Sequence, residues 1–161
     1  MEERRIITEP PEKLLLEFGS EILSSPRFLK LKNVTQHMRS NTYDHSVKVT
    51  LKALHLAKKM KVHVHPSALV RGCLLHDYFL YDPHGADKKR FHLRFHGIRA
   101  AKNAMRDFGI NTVETDMIMN HMWPLHPFRF PICVEGWLLI LADKQVSCTE
   151  RFDTNPIVID N

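Results

Sequence analysis

Apolar residues recur along most of the chain at the spacing of an amphipathic α-helix, three or four positions apart. This helical period dominates over the strict alternation that is typical of half-buried strands. No internal repeat or low-complexity tract interrupts the pattern. The sequence therefore predicts an all-α fold, organised as one structural domain with about six to seven helices.

Prolines, glycines and capping residues indicate where these helices begin and end. Pro26 and Pro66 suit a first helical turn, Gly109 suits a helix end, and Asn111 with Glu114 has the spacing of a capping box. The predicted helices cover 12–23, a short stretch from 26, then 42–61 with Thr42 as N-cap, a stretch from 66, 93–108, 111–124 and 133–151. Between them we expect a connection over 31–41 and a surface loop over 82–90, and a tail follows over 152–161.

The composition is that of an ordinary globular domain, with 43% apolar and 25% charged residues in a chain of 161. The longest apolar stretch, Trp137 to Ala142, is too short to cross a bilayer, and the N-terminus lacks the apolar segment of a signal peptide. The three cysteines lie far apart and form no CxxC pair. We therefore expect a cytoplasmic protein without a membrane partner.

The net charge of +5 favours anionic partners, and both nucleic acids and small phosphorylated compounds satisfy that preference. The densest basic stretch covers 88–102 and mixes cationic with aromatic residues. Such a stretch is either a solvated helix face or a surface that contacts phosphate. Charge alone leaves both interpretations open.

Histidine is unusually abundant, with 11 residues, and it is both the commonest metal ligand and a frequent acid or base. Several predicted helices each carry a histidine or aspartate on or beside the apolar stripe, and these residues are His45, His76, Asp77, His96, His121 and Asp143.

A single inward histidine is usually no more than a core residue with its hydrogen bonds satisfied, and Asp143 also suits an ion pair with lysine or arginine. However, a carboxylate within the apolar segment GWLLILADKQV is costly to bury without a cation or hydrogen-bond donors. Facing helices of a bundle are a common place for metal sites. Taken together, these side chains predict a metal site where the helices meet.

From 42 to 151 the sequence resembles the HD-domain superfamily of metal-dependent phosphohydrolases. TYDHSVKVTLKALHLAKK resembles the first-histidine helix of this family, GCLLHDYFLYD its eponymous His-Asp motif, and LLILADKQVS its closing aspartate helix. FHGIRAAKNA and IMNHMWPL resemble the segments that supply two further histidines in binuclear members, and HMWPL is similar to a phrase in small bacterial HD proteins. The resemblance implies an orthogonal helical bundle over 42–151, with helices of 1–41 packed on its core.

The resemblance also implies a set of metal ligands. One divalent transition-metal ion would be bound by His45, His76, Asp77 and Asp143. Asp77 would bridge to a second ion, held by His96 and His121. Iron or manganese is preferred by resemblance, although cobalt, nickel and zinc suit the same ligands.

The reaction implied is hydrolysis of a small phosphate ester, with a nucleotide as the expected substrate and His76 and Asp77 as catalytic residues. Activity on cyclic dinucleotides is not expected, because the chain has no GYP motif and carries Leu80 where that branch has lysine. Candidate substrate contacts, for phosphate or for an aromatic or ribose group, are Lys144, Arg129 and Trp123. Lys144 and Arg129 also suit a solvated surface, and Trp123 also suits the core.

Two other functions stay open. A minority of binuclear HD proteins resemble di-iron oxygenases, whose histidine-rich ligation is the same. The basic charge balance also suits a non-catalytic module that binds nucleotides or nucleic acid. The oligomeric state is not indicated by any feature of the sequence.

Overall fold

The structure is a computed structural model that describes residues 3–37, 40–79 and 89–152. Within these ranges the chain forms seven helices, which confirms the predicted all-α class. They are α1 (Pro11–Ser24), α2 (Pro26–Leu29), α3 (Thr42–Met60), α4 (Pro66–Leu75), α5 (Lys89–Phe108), α6 (Thr112–Asn120) and α7 (Val134–Phe152). None of them has both the length and the apolar character needed to cross a membrane. Leu80, most of the predicted loop over 82–90 and nearly all of the predicted tail over 152–161 lie outside the described residues.

The helix ends follow local chemistry closely. Gly109 has a φ of 59° directly after α5, a left-handed conformation that glycine adopts without a Cβ penalty. The capping box of Asn111 and Glu114 is present at the start of α6. The prediction of Thr42 as the cap of α3 is wrong, because the Asn41 side chain accepts the Asp44 N–H at 2.8 Å. The Thr42 hydroxyl instead donates to the carbonyl of Val34 at 3.1 Å.

Helix α5 begins at Lys89, four residues before the predicted start and inside the segment expected to be a loop. Lysine and arginine are good helix formers, although a cation is unfavourable at a helix N-terminus. The loop was predicted from the Asp-Pro and His-Gly pairs over 82–85, and these pairs do not indicate where the next helix begins.

Helix α4 lies at the centre of the fold and contacts α1, α3, α5, α6 and α7. Most of its residues are buried, with Leu69 and Leu74 completely inaccessible to solvent. From α1, Leu14 and Ile22 are also fully buried in the same core. Because α4 is surrounded in this way, the two residues that follow it, His76 and Asp77, lie deep inside the protein.

Two short antiparallel ribbons accompany the helices. β1 (Arg5–Ile6) pairs with β4 (His63–Val64), and β2 (Thr35–His37) pairs with β3 (Ser40–Asn41). The second ribbon and a 3-10 helix over Lys30–Asn33 occupy the segment that was predicted only as a connection. The second ribbon leads directly into α3 and brings Ser40 close to the last turn of α7.

Candidate metal centre

Five helices bring the six predicted ligands to one buried region of the molecule. They are His45 in the first turn of α3, His76 and Asp77 just after α4, His96 on α5, His121 just after α6, and Asp143 on α7. Each of these residues except Asp143 is at most 4% exposed to solvent. The helices therefore place four imidazoles and the Asp77 carboxylate where they are almost completely shielded from solvent.

One group of potential ligands comprises His45, His76 and Asp143, whose ligand atoms all lie within 4.8 Å of one another. His45 Nε2 lies 3.1 Å from Asp143 Oδ1, and His76 Nε2 lies 3.9 Å from the same oxygen. Two nitrogens and one oxygen therefore face a common point, and this is an arrangement that can hold a metal ion.

A second group adjoins the first and comprises His76, Asp77 and His121. Asp77 Oδ2 lies 3.5 Å from His76 Nε2, and Asp77 Oδ1 lies 3.5 Å from both His96 Nε2 and His121 Nε2. The Nε2 atoms of His96 and His121 are only 2.9 Å apart. His76 belongs to both groups, but its single Nε2 lone pair can bind only one ion at a time.

Hydrogen bonds on the outer side of the rings determine which nitrogen faces the cluster. His76 Nδ1 donates to the Cys73 carbonyl at 2.8 Å, and His121 Nδ1 donates to the Ile118 carbonyl at 2.7 Å. Each acceptor lies three residues earlier, at a helix end where carbonyls lack their usual helical partner. A carbonyl can only accept, so Nδ1 carries the hydrogen, and in the neutral ring the Nε2 lone pair points inward, as in known metal-binding histidines.

The inward-facing atoms fit a cation. His76 Nε2 is buried and has no hydrogen-bond partner among the described residues, which is costly for a polar atom. His121 Nε2 lies 2.9 Å from His96 Nε2, so two ring nitrogens meet beside Asp77. Nitrogen and carboxylate donors of this kind suit a divalent transition metal.

Solvent reaches the cluster at Asp143. Its side chain is 18% exposed, compared with 6% for Asp77 and 0% for His45 and His76. A small molecule that approaches the ligands would therefore meet Asp143 first.

The pKa values of Asp143, Asp77 and His76 favour the protonation states that metal ligands need. Burial raises the pKa of Asp143, but the hydrogen bond from His45 and the nearby His76 outweigh this effect and lower it to about 2. Burial also opposes ionisation of Asp77, yet His76, His121 and His96 hold its pKa well below the usual value. For His121, burial lowers the pKa, but the hydrogen bond to Asp77 and the charge of Asp77 outweigh burial and raise it. For His76 itself, burial is the largest effect and lowers the pKa. Both carboxylates are therefore ionised and His76 is neutral at neutral pH.

His45 has the opposite shift. Burial lowers its pKa, but hydrogen bonds to Asp143 and Glu150 outweigh burial and raise it to about 10. In the metal-free protein His45 is thus protonated at neutral pH, and its positive charge lies between the carboxylates of Asp143 and Glu150.

We expect the metal-free protein to lose stability as the pH rises from about 6.5 toward about 10. Well below the lower limit His45 is protonated in both the folded and the unfolded chain, and the stabilisation is complete. Above it the unfolded chain releases the proton first, so the free energy of unfolding falls. Urea unfolding in the presence of a chelator measures this slope. A His45→Gln variant should show a smaller slope, and an equal slope would contradict the assignment.

The three predicted substrate contacts all lie away from the buried core. Lys144 is exposed on α7, and Trp123 packs edge-on against Trp137 with ring centroids 5.1 Å apart. Arg129 is exposed and lines a cavity of about 240 Å³, together with Phe95, His126, Pro127 and Phe128. Since Phe95 directly precedes His96, this cavity adjoins the helix that supplies part of the cluster.

Two polar residues near the cluster were missed from the sequence. Ser147 donates to Asp143 Oδ1 at 3.2 Å, and Glu150 Oε2 lies 2.9 Å from His45 Nδ1. Asp143, Ser147 and Glu150 follow one another at i, i+4 and i+7, which is one face of α7. That spacing was the available signal, because polar residues on the same stripe as a buried aspartate share its surroundings.

Comparison of the chain with protein-family models, with curated proteins and with solved structures found no match. The chemistry of the cluster itself is therefore the basis on which a function is inferred.

Proposed function

We propose that this protein is a metal-dependent phosphohydrolase of the HD-domain type, which hydrolyses a small phosphate ester, with a nucleotide as the preferred substrate class. The observation that carries the proposal is the convergence of four imidazoles and two carboxylates, whose contacts range from 2.9 Å to 3.9 Å. The ordered His, His-Asp and Asp motifs of the sequence supply four of these groups, and FHGIRAAKNA and IMNHMWPL supply His96 and His121.

The ligand set divides into two neighbouring positions. His45, His76 and Asp143 would hold one ion, while His96 and His121 would hold a second, with Asp77 between the two positions. Iron or manganese is the preferred metal, and cobalt, nickel and zinc also bind such donors.

Divalent cations in such a site supply a hydroxide nucleophile at neutral pH and neutralise charge on the phosphate. The side chains of the protein prepare the site for this chemistry. The backbone carbonyls of Cys73 and Ile118 hold two imidazoles with their lone pairs inward. Asp143, the most exposed member of the cluster, lies where a phosphate would enter.

A nucleotide suits the side chains of the cavity that adjoins α5. Phe95 and Phe128 line the cavity and offer aromatic faces to a base, and Arg129 offers a guanidinium group to a phosphate. A cytoplasmic location agrees with the three free cysteines, of which Cys148 is exposed.

The test is a screen of nucleoside monophosphates, dinucleoside polyphosphates and simple esters against protein stripped of metal and reloaded with manganese, under anaerobic conditions. We expect one to two bound ions per chain by metal analysis and phosphate release that depends on the added metal. In a parallel aerobic assay of iron-loaded protein, oxygen consumption without phosphate release would instead indicate a di-iron oxygenase. Salt-dependent RNA binding without turnover would indicate a binding module. Either result would reject the proposal.

A further inference from the structure

We infer that Glu150 is a positioning residue that orients His45 and strengthens the binding of a metal ion on the His45 side of the cluster. The inference rests on the proposed metal centre and adds to it a residue outside the predicted ligand set. Glu150 lies in the last turns of α7, and its side chain is 8% exposed.

Three donors from two other parts of the fold meet the Glu150 carboxylate. His45 Nδ1 lies 2.9 Å and Ser40 Oγ 3.2 Å from Oε2, and Lys48 Nζ lies 3.0 Å from Oε1. The ionised carboxylate only accepts hydrogen bonds, so Nδ1 of His45 carries a hydrogen. In the neutral imidazole the Nε2 lone pair then faces Asp143, 3.1 Å away.

The hydrogen-bond partner of the outward-facing nitrogen, Nδ1, is charged for His45 but neutral for two other histidines. His76 and His121 donate to neutral backbone carbonyls, whereas His45 contacts a carboxylate. A carboxylate in this outer position makes an imidazole more basic and a stronger metal ligand, and its loss typically weakens metal affinity about 10- to 100-fold.

Lys48 separates an electrostatic role of Glu150 from a merely structural one. If Glu150 only tied α7 to α3, removal of Lys48 would weaken the centre as removal of Glu150 does. If the negative charge of Glu150 strengthens the ligand, removal of the Lys48 cation should leave metal affinity unchanged or raise it. The two roles therefore predict different results for Lys48.

Glu135 provides a matched control on the same helix. It is also a buried carboxylate, and it accepts a hydrogen bond from the His65 backbone N–H at 2.9 Å and lies 3.4 Å from Arg4. Its partners lie outside the ligand cluster. Replacing Glu135 by glutamine thus reproduces the loss of a buried, hydrogen-bonded charge without affecting His45.

The experiment is a calorimetric titration of the full chain with Co²⁺, together with the visible absorption spectrum of the bound ion, for wild type, E150Q, E150A, K48M and E135Q. We expect E150Q and E150A to weaken the affinity for one ion about 10- to 100-fold and to change the spectrum. E135Q should retain both the affinity and the spectrum of wild type, and K48M should bind the ion at least as tightly as wild type. Circular dichroism confirms that each variant is folded.

Wild-type metal affinity in E150A, or an equal loss of metal affinity in K48M and E150Q, would overturn the role of Glu150. Neither result would overturn the proposed metal centre. If the glutamate variants fail to fold, the K48M result still decides, because weakened binding there contradicts an electrostatic role. Failure of the wild-type chain to bind Co²⁺ would overturn the proposed metal centre and this inference with it.

Discussion

His76→Ala is expected to remove bound metal from the protein and to abolish phosphate release. His76 Nε2 would bind the ion held with His45 and Asp143, and it also lies in the group formed with Asp77 and His121, so its loss removes a donor from the centre of the cluster. Loss of an outer-shell partner alone typically costs about 10- to 100-fold in metal affinity, and loss of a ligand itself should cost at least that much. Metal analysis after gel filtration and a phosphate-release assay measure the two effects.

Truncating a fully buried ring also leaves a cavity, so the fold of the variant must be checked by circular dichroism. Asp77→Asn offers a second variant of nearly unchanged shape, which removes the negative charge between the two positions. His55→Ala is the control, because His55 is an exposed histidine of α3 outside the cluster. Wild-type metal content and activity in folded His76→Ala would exclude the proposed mechanism.

Much of this centre was predictable because its ligands lie on amphipathic helices. His76, for example, follows Leu69 and Cys73 at i, i+4 and i+7, so burial of the apolar stripe carries the imidazole inward. The same reasoning applies to Asp143 within its apolar segment. Periodicity assigns a side chain to the core, and the small number of helices then leaves few places where several polar side chains can meet.

Features that depend on one particular tertiary contact could not be predicted in this way. The two-residue strands of β1 and β4 are too short to show alternation, and their pairing depends on residues far apart in the chain. The partner of His45 Nδ1 is Glu150, 105 positions away, and no local pattern indicates which carboxylate reaches an imidazole. The sharing of His76 between two groups likewise follows from three-dimensional geometry alone.

A glycine explains how α5 and α6 bring two histidines into contact. A Cβ at Gly97 would lie 3.0 Å from the Ile118 carbonyl oxygen and 3.3 Å from that of Met119. These are backbone atoms of α6, which cannot move aside as a side chain can. The absence of a side chain at Gly97 therefore permits the close packing in which the Nε2 atoms of His96 and His121 lie 2.9 Å apart.

Gly97→Val is accordingly expected to separate α5 from α6 and to remove the ion held by His96 and His121, while the ion held by His45, His76 and Asp143 is retained. Overpacking of this kind costs about 1–3 kcal/mol of stability. Metal analysis should then show roughly one ion fewer per chain than wild type. Hydrolysis should fall strongly, because the second ion no longer assists in clamping the phosphate.

Gly19→Val is the matched control for this variant. A Cβ at Gly19 meets the side chains of Leu74 and Val70, at 2.8 Å and 3.3 Å, and these groups lie in the core beside α1 rather than among the ligands. It should therefore lower the thermal stability but leave metal content unchanged. An equal loss of metal in both variants would mean that Gly97 acts only through general destabilisation. Unchanged metal content in Gly97→Val would show that the contact between α5 and α6 does not determine how the second ion is held.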